Sequence, residues 1–175
     1  MTLSDVASVG NIVAAIAVVL SLIYLSRQVR HANLIARSNV RQRMVEQTHD
    51  ELYILMNNSD LRESWLPDTE LSAEAQSKLA FFLAAAMRQR EWEWYQYKDG
   101  LIDRGVYGAY HQVIGFHLGA ARTRNWWATV GRMGFHPEFV AEVDALLENC
   151  PLSHDYFEKI RNFDPGGSGP ENHES

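Results

Sequence analysis

Residues 6–26 read VASVGNIVAAIAVVLSLIYLS, an apolar stretch without a charged residue that lies between Asp5 and Arg27. At about 1.5 Å per residue, a helix of this length is about 31 Å long, which matches a bilayer hydrocarbon core of roughly 30 Å. Tyr24 lies near one end, where amphipathic rings favour the headgroup level. The stretch therefore predicts that residues 1–26 form a transmembrane anchor, with the lipid bilayer as its partner.

Two other structures compete with a membrane span. A cleaved secretory signal carries its positive charges before the apolar run, whereas here the nearby arginines all follow it. A buried helix of a soluble protein is normally shorter or has a polar stripe. The sequence favours a span over both.

The charges on the two sides of residues 6–26 predict its orientation. The positive-inside rule counts Lys and Arg close to a span. No basic residue precedes this stretch, and five arginines follow it: Arg27, Arg30, Arg37, Arg41 and Arg43. We therefore expect a single-pass protein with its N-terminus outside and residues 27–175 in the cytoplasm. Arg27 and Arg30 are the two expected to contact lipid headgroups.

Small side chains recur along one face of the predicted span, at Ala7, Gly10, Ala14, Ala17 and Ser21. In lipid, a stripe of this kind lets the backbone of a second helix approach closely. The alternative is that small residues are simply common in membrane spans. The first interpretation predicts a homo-oligomer formed through the span.

The rest of the chain has the pattern of helices. No proline or glycine occurs between residues 11 and 66, so we expect the first helix to continue as a basic stalk over residues 27–58 and to end at Asn57-Asn58-Ser59. Capping and stop signals then predict helices over about residues 60–65, from Ser72 to Gly100, from Asp103 to His117, over 120–132, from Pro137 to Asn149 and over 155–162. Strand signals are nearly absent.

The predicted fold class is all-α. A transmembrane helix continues into a long stalk helix, which is followed by a compact helical bundle. This bundle is a cytoplasmic domain over residues 59–163, and residues 164–175, rich in Pro, Gly and Ser, form a disordered tail.

Charge and cysteine content limit the partners of the cytoplasmic part. The formal net charge is −6, although residues 27–46 carry five arginines against Glu46 alone, so the remainder is acidic. An acidic body argues against nucleic acid as a partner, because phosphate binding needs a positive face. Cys150 is the only cysteine, which excludes an intramolecular disulfide and fits a reducing compartment.

No catalytic, cofactor-binding or metal-binding signature stands out. Glu46 and His49 form one Glu-x-x-His, but helical di-iron sites need two together with further glutamates. The spacings from Arg43 to His49 and from Arg104 to His111 are similar to the Arg–His pair of helical ribonucleases, at a frequency that chance explains. The sequence therefore predicts no catalytic residue, no cofactor and no metal ligand, and it favours a protein that is not an enzyme.

The aromatic residues of the cytoplasmic part form the one candidate pocket for a ligand or a partner. Trp92 and Trp94 alternate with glutamates, Tyr95 follows Trp94 directly, and Trp126 and Trp127 come later in the chain. Such rings can line a pocket for a cationic or planar ligand. Core packing with a partly exposed rim also explains these residues and is the favoured interpretation.

Several short pieces resemble a broad group of bacterial single-span membrane proteins of unknown function. They are SLIYLSRQVR over residues 21–30, GLID over 100–103, the Trp126-Trp127 pair, FHPEF over 135–139 and VDALL over 143–147. The resemblance implies a bacterial inner-membrane protein and supplies no activity. We therefore expect a membrane-tethered interaction or scaffold protein with an unidentified protein partner. The alternative is a membrane-anchored enzyme or small-ligand sensor with an aromatic pocket in its helical domain.

Overall fold

The protein was analysed as a computed structural model that describes residues 3–66, 69–152 and 162. Within these ranges, the side chains of residues 3–10 and of Val13 are not described. The predicted helix over 155–162, apart from Asn162, and the predicted tail over 164–175 lie outside the described residues.

All regular structure in the described residues is helical, which confirms the all-α fold class. The helices in chain order are α1 (Leu3–Asn57), α2 (Ser59–Glu63), α3 (Ala73–Lys98), α4 (Arg104–His111), α5 (Val113–His117), α6 (Ala121–Thr129) and α7 (Pro137–Glu148). A 3₁₀ turn, Gly131–Gly134, lies between α6 and α7.

Most helix ends lie where local chemistry predicts them. Helix α1 ends at Asn57, at the predicted turn cluster. The hydroxyl of Ser72 accepts a hydrogen bond of 3.2 Å from the backbone N–H of Ala75 and so caps α3. Gly100 follows α3 with a φ of +72°, the left-handed conformation that favours glycine after a helix.

Two helices are shorter than predicted. Asp103 caps α4 as expected, because its Oδ1 accepts from the N–H of Val106 at 2.9 Å. The helix breaks at Gln112, however. There the N–H of Gly115 donates to Gln112 O at 3.0 Å, so the hydrogen bond joins residues three apart instead of four apart. The helix predicted over 120–132 likewise ends at Thr129 and is followed by the 3₁₀ turn.

The chain divides into two compact units, residues 1–44 and residues 45–175. In the first unit, every described side chain between residues 11 and 26 is exposed. Within the described residues, no helix is long and apolar enough to cross a membrane. Residues 6–10 and Val13 of the predicted span are among those whose side chains are not described.

The second unit has a hydrophobic core. One part surrounds Trp65, whose ring meets that of Phe82 edge-on at 5.6 Å between centroids. The buried residues of this cluster are Leu55, Leu61, Trp65, Leu66, Leu79, Phe82, Leu83, Ala86 and Ala120. Another part joins α3 to α7, where Trp94 lies 6.1 Å from Phe139 between ring centroids. These contacts fix the relative positions of α2, α3 and α7.

Candidate functional site

The second unit contains a groove of about 990 Å³, here called the apolar groove. Its lining residues come from the C-terminal part of α1 and from α2, α3, α4 and α5. The groove is lined by the apolar residues Leu52, Leu55, Met56, Leu66, Ala109, Val113 and Phe116 and by the polar residues Thr48, Glu51, Arg62, Glu63, Arg90, Tyr110 and Gln112. Its volume and composition are those of a site for a small organic molecule.

Four ionisable residues meet beside this groove and are here called the charge cluster: Glu51, Arg90, Glu93 and His117. The Nε2 of His117 forms a short hydrogen bond with Glu51 Oε1. The NH2 of Arg90 lies 3.5 Å from Glu51 Oε2 and 3.3 Å from Glu93 Oε1. Three of the four are buried, with relative exposures of 0% for His117, 1% for Glu93 and 3% for Arg90. Helices α1, α3 and α5 therefore meet through charged groups rather than through apolar packing alone.

The pKa values of the two carboxyl groups in the charge cluster are shifted in opposite directions. Burial raises the pKa of the Glu51 carboxyl, but the hydrogen bond from His117 and the charges of His117 and Arg90 outweigh burial, so that pKa lies below its usual range. Burial raises the pKa of Glu93 to about 7, although Arg90 and the hydrogen bond from Gln89 act against it. Glu51 is thus the ionised member, and Glu93 can hold a proton near neutral pH.

Two nitrogens of the charge cluster have no hydrogen-bond partner among the described residues: Arg90 Nε and His117 Nδ1. Because an ionised Glu51 only accepts, the His117 Nε2 carries the proton of that hydrogen bond. A buried N–H without an acceptor lowers the stability of the fold, so an acceptor bound to Arg90 Nε would be favourable. Arg90 and Glu51 also line the apolar groove, so the charge cluster borders it.

A second cavity, of about 810 Å³, lies between the start of α3 and helix α6. It is lined by Thr69, Glu70, Leu71, Gln76, Leu79, Ala80, Leu83, Arg122, Asn125, Trp126 and Thr129. The NH2 of Arg122 donates to Thr69 O at 2.8 Å across it. Its wall is more polar and more open than that of the apolar groove.

The aromatic residues predicted to form a pocket are connected mainly through the core. Trp94 contacts the ring of Tyr95 at 4.9 Å between centroids, and Trp126 lies 6.4 Å from Trp127. Phe135 and Phe139 link the two pairs, since Trp127 lies 5.5 Å from Phe135 and Trp94 lies 6.1 Å from Phe139. Trp94 and Trp127 are buried, and Trp92 is half-buried. Of the two cavities above, the second is lined by Trp126.

Trp94 and Trp127 are both held by carboxylates of α7. The Nε1 of Trp94 donates to Glu142 Oε2 at 2.9 Å, and that of Trp127 donates to Asp144 Oδ1 at 2.9 Å. The hydroxyl of Tyr107 donates to the other oxygen of Glu142 at 2.7 Å. Burial, with this hydrogen bond, raises the pKa of Tyr107 well above its usual range. These interactions fix the aromatic side chains in place, and ligand binding by the predicted residues stays a prediction.

The predicted interface and headgroup residues lie on α1. Ala14, Ala17 and Ser21 are exposed, and the hydroxyl of Ser21 donates to Ala17 O at 2.8 Å. The side chains of Ala7 and Gly10 are outside the described residues. Arg27 and Arg30 are exposed. Contact of these residues with a second helix or with lipid stays a prediction.

The sequence analysis did not identify any residue of the charge cluster as a site residue. One sequence signal, however, marks Arg90. Leu83, Met87, Arg90 and Trp94 follow spacings of 4, 3 and 4 and share one buried face of α3. A charged residue at such a position needs a buried partner. Nothing in the sequence identifies that partner, because Glu51 is 39 residues from Arg90 and 66 residues from His117. In the part of the chain that the structure describes, no group of three His, Cys, Asp or Glu residues is arranged to hold a metal ion.

Comparison of the chain with models of protein families, with curated proteins and with solved structures gave no match. The resemblance to bacterial single-span proteins, and the location that it implies, therefore stay predictions.

Proposed function

We propose that the protein is a membrane-tethered interaction or scaffold protein of the bacterial inner membrane. Residues 6–26 form its span, the N-terminus lies outside and the helical domain lies in the cytoplasm. The observation that carries the proposal is the apolar surface of α1, where Ile16 and Leu20 are 55% and 60% exposed. Exposed apolar side chains around a whole helix are stable when lipid tails cover them.

The distribution of charge supports the same arrangement. Residues 6–26 carry no charge, and all five nearby arginines follow them. A stretch of this kind inserts with its basic end in the cytoplasm. The bundle that follows offers the surface on which an unidentified protein partner would be held close to the membrane.

Two matched pairs of substitutions test the span. The change Ile16→Asp with Leu20→Asp adds two charges to it, each costing about 3 kcal/mol in a membrane helix. The control, Leu34→Asp with Ile35→Asp, changes equally exposed residues of α1 outside the span. After extraction of membranes at alkaline pH, the wild type and the control should stay in the pellet and the first variant should be released. Equal behaviour of the two variants would contradict the proposal.

The orientation is tested by a reporter fused after Ser175. The proposal predicts activity of a reporter that works only in the cytoplasm and no activity of one that works only in the periplasm. The opposite pair of results would reverse the topology.

The apolar groove favours a second function, the binding of a small ligand by the helical domain. A mostly apolar groove lined by a few charged residues is typical of a ligand site. Trp65 is a natural probe, because its ring stacks on that of Phe116 at 6.5 Å, and Phe116 lines the groove. Tryptophan emission of the full-length protein should therefore change when a ligand fills the groove.

A further inference from the structure

The charges along the apolar groove limit the ligands that it can hold. Its apolar part consists mainly of aliphatic side chains, such as Leu52, Leu55 and Val113. Flexible aliphatic walls suit an aliphatic chain. The polar groups therefore decide which head group such a chain can carry.

Arg62 contributes a positive charge that no described carboxylate balances. Its NH1 donates to Leu55 O and to Met56 O, each at 2.7 Å, and so binds carbonyls at the C-terminal end of α1. Among the described residues it forms no ion pair. The carbonyls supply only partial negative charge, so Arg62 can still attract an anion.

Arg90 contributes mainly a hydrogen-bond donor, because its positive charge is partly balanced by neighbouring carboxylates. Its NH2 is shared between Glu51 and Glu93, while its Nε is buried without a partner. An oxygen acceptor on a ligand would satisfy this donor. When Glu93 is protonated, the positive charge of Arg90 is balanced by Glu51 alone, and Glu51 is also paired with His117.

The acidic residues of the groove are poorly placed to attract a cation. Glu51 is already bonded to His117 and lies beside Arg90. Glu63 lines the groove but is exposed, so water and salt screen its charge. The groove therefore has about one positive charge to offer and no comparable negative one.

We infer that the apolar groove binds a free aliphatic monocarboxylate, with its chain along the leucine-rich wall and its single negative charge held by Arg62 and Arg90. This inference rests on the second proposed function, that the groove is a ligand site.

Three probes with the same chain and different heads test the inference: octanoate, octanol and octyltrimethylammonium. Each is titrated into the full-length protein in nanodiscs of zwitterionic lipid, and binding is followed by tryptophan emission, with empty nanodiscs as the blank. Octanoate should bind at least about tenfold more tightly than either other probe, because its head pairs with Arg62 and accepts from Arg90.

Three variants locate the binding. Arg62→Gln should weaken octanoate about tenfold and leave octanol unchanged, because it removes charge without filling the groove. Arg104→Gln, which removes an exposed arginine of α4 outside the groove, is the matched control and should bind octanoate as the wild type does. Val113→Trp fills the groove and should weaken all three probes. Circular dichroism confirms that each variant keeps its helical content.

The outcomes separate the inference from the function on which it rests. Equal affinity for the three heads, or a preference for the cation, overturns the carboxylate assignment while Val113→Trp still reports a ligand site. Equal effects of Arg62→Gln and Arg104→Gln overturn it as well. Absence of binding by any probe to a folded protein overturns both the inference and the ligand site.

Discussion

Replacing Glu93 by glutamine removes a titrating group from the charge cluster while keeping nearly the same shape. Glu93 Oε1 accepts a hydrogen bond from Gln89 Nε2 at 3.3 Å and lies 3.3 Å from the NH2 of Arg90. The amide oxygen of glutamine can accept from both. The substitution therefore tests the charge of the side chain rather than its packing.

The magnitude follows from the pKa of Glu93, which burial raises from 4.5 to about 7. Below pH 4.5 the carboxyl is protonated in both the folded and the unfolded chain, so it has no effect on the free energy of unfolding. Between pH 4.5 and 7 the unfolded chain releases the proton and the folded chain keeps it, so this free energy falls as pH rises. Each pKa unit corresponds to about 1.4 kcal/mol, which gives a total loss of about 3 kcal/mol.

The Glu93→Gln variant should not lose this stability as pH rises, because a glutamine side chain does not titrate. We expect the full-length variant to match the wild type near pH 4 and to be more stable by up to about 3 kcal/mol at pH 8. Denaturant unfolding in zwitterionic detergent, followed by tryptophan emission, measures the difference at each pH. Burial lowers the pKa of His111 in both proteins, with Glu142 acting against it, so the titration of His111 cancels in the difference.

Glu148→Gln is the control for a solvent-exposed carboxylate, since Glu148 is exposed at the end of α7. Its difference from the wild type should not depend on pH between 5 and 8. A Glu93→Gln difference that is equally flat would refute the reasoning, because it would mean that the folded chain gives Glu93 no preference for its protonated form.

Two further predictions concern glycines and are checked by the same unfolding measurement. Gly100→Ala should destabilise the protein by about 1 to 2 kcal/mol, because φ is +72° there. Gly108→Ala in α4 should stabilise it by about 0.5 to 1 kcal/mol, because the added Cβ would meet no other atom within 4 Å. Effects of the same sign would contradict this prediction. Gly131→Ala places a Cβ 2.6 Å from the ring of Trp126, so it should shift tryptophan emission and lower the free energy of unfolding by about 1 to 3 kcal/mol. Gly134→Ala is the control, because its Cβ would lie 3.6 Å from Arg88 NH2, and it should change neither the emission nor the stability in this way.

Local chemistry in the sequence was enough to place most helix ends. Ser72 and Asp103 cap helices with their own side chains, Pro137 opens one and Gly100 ends one, and each of these effects involves residues only a few positions apart. The break at Gln112 was not predicted. It involves no proline, and Gln112 itself keeps helical backbone angles, so no residue type marks it in the sequence.

The helical spacing of Leu83, Met87, Arg90 and Trp94 follows the buried face of α3, but it does not indicate what that face contacts. The buried pattern includes Arg90 and Glu93, and their charges are balanced by groups on other helices or depend on the loss of water around them. Burial of this kind is a property of the packed domain. The apolar groove depends on the same packing, because its walls come from segments far apart in the chain.

Short-range features of the sequence are enough to predict the helical content, the ends of most helices and the apolar, uncharged character of residues 6–26, since each depends on the side chains of neighbouring residues. The contact of Glu51 with His117, 66 residues away, and the position of Arg90 between two carboxylates arise only when the domain packs. Helical periodicity specifies which residues share a face of one helix. Which faces then meet depends on the fit of side chains across the whole domain. That fit involves residues far apart in the chain, so neighbouring residues do not predict it.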